Sequence, residues 1–186
     1  MVLEIFAGTC RLSQACRKHG LEALSVDKDP KRSEQAPTFD LGKTEDYAAL
    51  MSFVDHESSR IVHAHFAPSC GTASRAREKK IKGIDNPPKL LRSDLKPDRL
   101  DGLDARDQLR VKIANDAYDS MARMALELIR LGISVSIQNP ANSLFGKTSD
   151  FFSQKFQVAI LPNFTIACME ERGTNPPFLV FQSQMP

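Results

Sequence analysis

A cysteine followed by basic residues is the clearest candidate for chemistry in this sequence. It stands in Phe66-Ala67-Pro68-Ser69-Cys70-Gly71, and Ser74, Arg75 and Arg77 follow it. A nearby guanidinium group favours the thiolate, which is the nucleophilic form of cysteine. We therefore predict that Cys70 is a nucleophile. A buried structural cysteine is the alternative, and the polar, basic loop around Cys70 weakens it.

Small residues follow the first predicted strand. They lie in the segment Glu4-Ile5-Phe6-Ala7-Gly8-Thr9-Cys10-Arg11-Leu12. Small side chains allow the backbone to approach a ligand and lead into the N-terminus of a helix. A tight strand-to-helix turn that binds nothing would have the same composition, so this motif alone leaves both interpretations open.

Two carboxylates lie after the second predicted strand. Asp27, followed by Lys28, ends that strand. Nucleotide-binding folds hold ribose hydroxyls there, although a solvated turn would also accept an aspartate. Asp40, followed by Leu41, lies between the second and third predicted strands. A carboxylate at that point could accept a hydrogen bond from the amino group of adenine.

Two side-chain amides follow a later buried strand, in Gln138-Asn139-Pro140. The Asn-Pro step predicts a sharp turn. The amides could bind the edge of a heterocycle, or they could satisfy the backbone of the turn. His63 and His65 alternate along a strand without a second set of ligands, so the sequence predicts no metal site.

These candidates follow predicted strands that alternate with predicted helices. The strands are 2–6, 23–26, 61–66, 133–137, 164–168 and 178–181, and the last two could pair as a hairpin. The helices are 12–19, 44–54, with Thr44 as its cap, and 106–131. The buried stripe predicted for the longest helix is Leu109, Ile113, Ala117, Met121, Met124 and Leu128. Such alternation predicts a parallel sheet covered on both faces, with ligands at the carboxyl ends of the strands.

The composition is that of one globular domain, residues 1–186. The chain has 41% hydrophobic and 26% charged residues, which excludes a disordered protein. No apolar run approaches the roughly 20 residues that span a bilayer. The N-terminus carries no basic region or cleavage signal, so we expect an intracellular protein without a membrane partner. The four cysteines form no CxxC pair and are expected to be reduced thiols.

One long segment, at about 67–105, has no sustained periodicity. It is basic and contains Pro87, Pro88 and Pro97. A connection of this length inside a compact domain is usually functional or disordered. The net charge of the chain is only +2, so nucleic-acid binding would depend on a local basic patch of this kind.

In their order along the chain, these motifs resemble a class I S-adenosylmethionine-dependent methyltransferase, specifically the DNA cytosine-5 methyltransferases. The matching segments are Phe6-Ala7-Gly8 with Leu12, Asp27, Asp40-Leu41, Pro68-Ser69-Cys70, Gln138-Asn139-Pro140 and, weakly, Arg172. In that family they correspond to the first cofactor motif, the ribose and adenine contacts, the Pro-Pro-Cys nucleophile loop, Glu-Asn-Val and a later arginine motif.

The resemblance implies a three-layer Rossmann-like methyltransferase fold, with a mostly parallel sheet and a C-terminal antiparallel strand. It implies S-adenosylmethionine as cofactor, bound by Phe6, Ala7, Gly8, Leu12, Asp27, Lys28, Asp40, Leu41 and Pro68. It also implies DNA as partner, contacted by Ser74, Arg75, Arg77 and Arg172. Cys70 would add to carbon 6 of a cytosine flipped out of the duplex, and Asn139 would shape the turn of the pocket.

The sequence departs from the family at several positions. Gln138 replaces the glutamic acid expected at ring nitrogen 3, and an amide cannot deliver a proton. A general acid typically contributes about 10²–10⁴-fold in rate. Ser69 and Gly71 replace a proline and a glutamine, and no target-recognition region fits within the length. A catalytically degenerate module that binds the cofactor is therefore an alternative, and a partner chain or a missing domain is the expected source of target recognition.

A third alternative is a methyltransferase of the same fold that acts on adenine, RNA or protein. It would depend on Asn175-Pro176-Pro177-Phe178, which matches the Asn-Pro-Pro-aromatic motif of amino-directed DNA methyltransferases. That motif normally follows an apolar strand directly. Here polar residues precede it, which favours a loop before the last strand. Asn86-Pro87-Pro88 lacks the aromatic residue and is discounted.

Overall fold

Four parallel strands form the centre of the fold, in the order β2 (Ala23–Val26), β1 (Val2–Ile5), β3 (His63–Phe66) and β4 (Ser134–Pro140). The connecting helices are α1 (Arg11–Lys18), α2 (Thr44–Glu57) and α3 (Ala105–Arg130). This computed structural model describes residues 1–29, 37–78, 88–140 and 143–148, and the backbone of 164–169 and 178–183. The predicted α/β class is confirmed, with four parallel strands and three helices in that part of the chain.

Two further strands lie near the C-terminus, β5 (Phe164–Met169) and β6 (Phe178–Ser183). The backbone of β6 runs antiparallel to both β4 and β5. The residues between these strands, including Arg172 and the segment 175–177, lie outside the described part of the chain.

The two faces of the sheet differ in chemistry. Leu3 and Ile5 of β1 are buried in one apolar cluster with Leu50 of α2 and Met121 of α3. Glu4 lies between them and faces the opposite side, because side chains alternate along a strand. There its carboxylate contacts the start of α1. This placement follows from right-handed crossovers, since the chain moves from β1 to β2 in one direction and returns past β1 to β3.

That reversal of direction creates a switch point between β1 and β3. Ligands of parallel α/β sheets bind in the crevice outside the carboxyl ends of the strands at such a point. The turns that follow β1 and β3 contain Phe6 and Pro68, respectively. An isolated parallel bridge between Asp27 and Thr38 brings the segment that contains Asp40 to the end of β2. The fold therefore brings the turns predicted to bind a ligand to one edge.

Two predictions about the helices are wrong. Lys43, and not Thr44, is the N-cap of α2, and its side chain makes no capping hydrogen bond. On α3, Leu109 is 57% and Ile113 is 46% exposed. The buried face of α3 instead includes Val111, which is 1% exposed.

The long segment after β3 is partly described. Within its described residues, regular structure is limited to a short 3-10 helix, Arg75–Glu78. Leu91 and Arg92 are buried, so this connection packs into the domain. None of the described helices combines the length and the hydropathy that crossing a membrane requires.

Candidate active site

The turn after β1 has an unusual backbone. Phe6 has φ 58° and Cys10 has φ 55°, and Gly8 between them has φ 53°. Residues with a side chain in this region cost about 1–3 kcal/mol each, and such residues cluster at ligand sites. The turn is fixed by the carboxylate of Asp27, which accepts hydrogen bonds from Gly8 N (2.8 Å) and Asp29 N (2.9 Å).

A buried carboxylate occupies the N-terminus of α1. Glu4 is 5% exposed and accepts hydrogen bonds from Ser13 N at 2.8 Å and from Leu12 N at 3.4 Å. A negative charge there is stabilised by the helix dipole and by unpaired backbone amides. Dinucleotide-binding folds present the corresponding helix N-terminus to a phosphate. Here an internal anion already binds these amides, and our sequence reasoning did not assign Glu4 this role.

A cavity of about 290 Å³ lies at the switch point. Five of the nine residues predicted to bind a cofactor line it, and they come from four separate turns: Phe6, Lys28, Asp40, Leu41 and Pro68. Ala7, Gly8 and Asp27 belong to the adjoining turns, and Leu12 lies in the first turn of α1. The structure thus brings residues up to 62 positions apart to one cavity.

The remaining wall of the cavity was not predicted from the sequence. It comes from Phe39, from the loop residues Ser69, Gly71 and Thr72, and from the α3 residues Arg110, Ile113, Ala114, Ala117 and Tyr118. The helical stripe predicted for α3 assigned Ile113 and Ala117 to the core. The periodicity of a helix shows which residues share a face, but a cavity and a core both favour apolar residues.

Asp40 is held in a fixed position at the cavity. Its backbone N donates to Asp46 Oδ2 in the first turn of α2, at 2.8 Å. Its own Oδ1 accepts a hydrogen bond from Gly42 N at 3.1 Å. Lys28 and Arg110 are exposed, so the cavity combines one ordered carboxylate, two cations at its surface and an apolar wall.

The loop that contains Cys70 is held from two sides. Tyr118 of α3 is buried and donates its hydroxyl to Ser69 O at 2.6 Å. Asn139 of β4 is 3% exposed and donates Nδ2 to Pro68 O at 3.3 Å, while its Oδ1 has no partner among the described residues. Cys70 itself is half-buried. Asn139 is thus positioned to shape the turn before the cysteine.

Arg92 is a second support of this loop that sequence reasoning missed. It is 2% exposed, donates to the carbonyls of Pro97 and Asp98 at 2.9 Å, and donates to Thr72 Oγ1 at 3.0 Å. Its guanidinium lies 5.8 Å from the centre of the Tyr118 ring. Burial lowers the pKa of Arg92, and Tyr118 and Asp98 oppose that shift. A buried arginine with several acceptors is a structural group that local sequence does not reveal.

The arginines predicted to favour the thiolate hold the loop in other ways. Arg75 pairs with Asp94 at 2.5 Å and with Glu78 at 3.0 Å. Hydrogen bonds from Arg75, and then from Lys147, lower the pKa of Asp94 to about 2.

Arg77 donates Nε to Gly71 O at 2.7 Å and another guanidinium nitrogen to Lys89 O at 3.0 Å. Activation of Cys70 by a cation therefore stays a prediction. Ser74 is half-buried and donates its backbone N to Cys70 O at 2.7 Å.

Gln138 and Asn139 lie on opposite faces of the sheet. They are neighbours on β4, where side chains alternate. Asn139 faces the cysteine loop, whereas Gln138 lies on the face of His65, where hydrogen bonding to Gln138 opposes the lowering of the His65 pKa by burial. His65 also contacts Ser136, and no group of three or more potential metal ligands occurs within the described residues.

Comparison of the chain with protein-family models, with curated protein sequences and with solved structures gives no match.

Proposed function

We propose that this chain binds S-adenosylmethionine in the cavity at the switch point and is a methyltransferase-like domain of the cytosine-5 type. The observation that carries the proposal is the convergence on one cavity of Phe6, Lys28, Asp40, Leu41 and Pro68. These residues were selected from the order of motifs along the chain.

The topology supports the three-layer Rossmann-like methyltransferase fold that we propose. The first helix contacts one face of the sheet, and residues of α2 and α3 join the cluster on the other. The isolated bridge between Asp27 and Thr38 adds one more parallel pairing at the end of β2. The last strand, β6, pairs antiparallel with β4. A mostly parallel sheet with one C-terminal antiparallel strand is the arrangement that the resemblance to methyltransferases implies.

The carboxylate of Glu4 favours S-adenosylmethionine over a dinucleotide. A diphosphate placed at the start of α1 would lie against a buried negative charge and would find the amides of Leu12 and Ser13 already bound. Two like charges close together in a poorly solvated site repel strongly. A ligand whose nucleoside carries a sulfonium in place of phosphates avoids this repulsion.

The reaction that we propose begins with the thiolate of Cys70. It forms a carbon–sulfur bond at carbon 6 of cytosine, and the electron pair of the carbon 5–carbon 6 double bond moves to carbon 5. If bound there, S-adenosylmethionine would supply an electrophilic methyl group to carbon 5, and the electron pair of its broken sulfur–methyl bond would stay on sulfur as a thioether. Loss of the proton from carbon 5 to water and departure of the thiolate from carbon 6 then restore the double bond of the ring. The target base must leave the duplex to be reached.

A second function, cofactor binding without methyl transfer, is favoured by Gln138. An amide cannot protonate ring nitrogen 3, and a lost general acid costs about 10²–10⁴-fold in rate. In that case the chain would act as a regulatory module. Under either function we propose DNA as the partner, with the segment 67–105 in contact with it, and a separate chain as a source of target recognition.

Titration of the purified chain with S-adenosylmethionine by calorimetry tests cofactor binding. We expect Asp40→Ala to weaken binding at least tenfold and Asp55→Ala, an exposed change on α2, to leave it unaltered. NAD should bind far more weakly, because of Glu4. Equal affinity for NAD, or no binding of S-adenosylmethionine by the wild type, would refute the proposal.

Transfer of a labelled methyl group to cytosine-containing DNA separates the two functions. The methyltransferase requires transfer that Cys70→Ser abolishes and that the matched change Cys16→Ser preserves. Binding of the cofactor without any transfer would support the regulatory module and exclude the methyltransferase.

A further inference from the structure

Residues 91–100 form a finger, a segment that folds back on itself. Leu91 is buried, and its carbonyl accepts a hydrogen bond from Leu100 N at 2.9 Å, which joins the two ends of the segment. The chain reverses between Ser93 and Lys96, whose backbones hydrogen-bond to each other in both directions, at 3.1 and 3.2 Å. Backbone hydrogen bonds at two levels therefore fix the finger, although it contains no helix or strand.

The tip of the finger is a leucine between charged residues. Leu95 lies in the reverse turn and is 93% exposed, whereas the next most exposed large hydrophobic residue among those described is Val62, at 63%. Its neighbours in the chain, Asp94 and Lys96, are also exposed. Single exposed leucines are common on protein surfaces. Leu95 differs because a hydrogen-bonded turn holds it in water, where an apolar side chain gains nothing.

Two contacts tie the finger to the cysteine loop. Arg92 binds two carbonyls of the finger and also donates to Thr72 Oγ1 at 3.0 Å. Asp94, next to the tip, pairs with Arg75 at 2.5 Å. The residue before Arg75 donates its backbone N to Cys70 O at 2.7 Å. The finger tip and the candidate nucleophile therefore belong to one connected unit.

We propose that Leu95 is a wedge that enters duplex DNA between base pairs while the target base is turned out towards Cys70. Proteins that distort DNA insert leucine and similar side chains between stacked bases. A base that leaves the stack for a reaction opens a gap at its position. An apolar side chain that fills this gap stabilises the open state. The inference rests on the proposed function, which makes Cys70 the group that the base reaches.

The surroundings of the tip favour DNA over a protein partner. Protein interfaces have an apolar core made of several neighbouring residues, whereas the chain neighbours of Leu95 are charged. A wedge needs only one apolar side chain, with cations beside it for the phosphates. Arg75 and Lys147 both pair with Asp94, whose side chain is 48% exposed. Ion pairs between such exposed groups are weak, so phosphates can replace Asp94 as the partner of these cations.

Unwinding of a closed-circular plasmid by the full chain tests the wedge without knowledge of a target sequence. A side chain inserted between base pairs unwinds the duplex, and topoisomerase I relaxes the resulting strain. The plasmid is then negatively supercoiled once the protein is removed, which we expect for the wild type. Leu95→Ala should need about tenfold more protein for the same supercoiling, because most of the inserted side chain is lost. Leu95→Met keeps the apolar bulk and should stay within about threefold of the wild type.

Leu21→Ala is the matched control. Leu21 is 55% exposed and precedes β2, so it lies at the amino ends of the strands, at the opposite edge from the cysteine loop. This variant should unwind the plasmid as the wild type does. Absence of supercoiling with the wild type would overturn the wedge. Equal supercoiling by Leu95→Ala and the wild type, or an equal loss in Leu21→Ala, would also overturn it.

Methyl transfer to the same plasmid, measured in parallel, separates a failure of the wedge from a failure of the proposed function. Transfer by a wild type that does not unwind the plasmid would refute the wedge and leave the reaction intact. Unwinding that depends on Leu95, without any transfer, would support the wedge and refute the reaction.

Discussion

Removal of one hydroxyl group should loosen the cysteine loop. Tyr118 is 1% exposed and donates to Ser69 O at 2.6 Å, which is a short hydrogen bond. In Tyr118→Phe the ring remains, so its edge-on contact with Phe145, at 4.7 Å between centroids, is preserved. The change therefore keeps the ring and removes only the hydrogen bonds of the hydroxyl group, which hold Ser69 and Thr72 of the cysteine loop.

The expected loss follows from the surroundings of the two partners. A typical hydrogen bond contributes about 0.5–1.5 kcal/mol, and an orphaned buried group costs up to about 3 kcal/mol. Ser69 is exposed, so water can replace the lost donor at its carbonyl. We therefore expect about 1 kcal/mol, which for a chain of this length lowers Tm by about 2–4 °C.

Two assays measure this effect. Thermal unfolding should show the lower Tm. Alkylation of the Cys70 thiol should accelerate about fivefold, because 1 kcal/mol favours the open loop by that factor. The chain has two tyrosines, and Tyr47→Phe is the matched control, since Tyr47 is only half-buried on α2. Unchanged alkylation in Tyr118→Phe, or an equal change in Tyr47→Phe, would refute the role of this hydrogen bond.

Two substitutions test the supports of the site, and the pH dependence of stability tests the burial of two histidines. Glu4→Ala should lower the free energy of unfolding by about 2–3 kcal/mol in urea denaturation, because two helix-terminal amides lose a charged acceptor. Arg92→Met should cost about 3 kcal/mol in the same assay, since it leaves the carbonyls that Arg92 binds without their donor. Because burial lowers the pKa of His63 and His65 in the folded state, these histidines bind protons at a higher pH in the unfolded state than in the folded state. Stability should therefore be highest above about pH 7 and should fall as the pH drops below about 6.5, which urea titrations at several pH values would measure.

Exposed residues of the same type provide the controls. Glu22→Ala and Arg99→Met should change the free energy of unfolding by less than about 0.5 kcal/mol. A comparable loss in these variants would show that charge, and not the buried contacts, determines stability. For the pH dependence, a stability that stays constant between pH 7 and pH 5 would contradict burial of neutral histidines.

Much of the fold could be predicted from local patterns. The strand Ala23–Val26 has the predicted bounds, and α3 begins and ends within one residue of its prediction. Strands and helices have different apolar periods, and Gly132 follows α3 with φ 76°, a conformation that favours glycine. The prediction for α2 was shorter than the helix by three residues, since its last turn is polar and lacks a terminating signal.

The candidate site was predicted only in part, because its wall depends on α3. Ile113 and Ala117 share the helical spacing of the core residue Met121, yet both line the cavity. The order of motifs identified the turns after β1, β2 and β3. These turns lie together because the ends of parallel strands meet at one edge of the sheet. The motifs did not identify α3, which also lines the cavity.

The sequence by itself determined the alternation of strands and helices and the turns that carry polar groups, because these depend on neighbours along the chain. Only the tertiary structure decided what lies opposite each group. Glu4 binds the start of α1, Arg92 is buried beside Tyr118, and Gln138 extends toward His65 while Asn139 holds the cysteine loop. These contacts join residues distant in the chain, and their energies depend on burial, which no local pattern specifies.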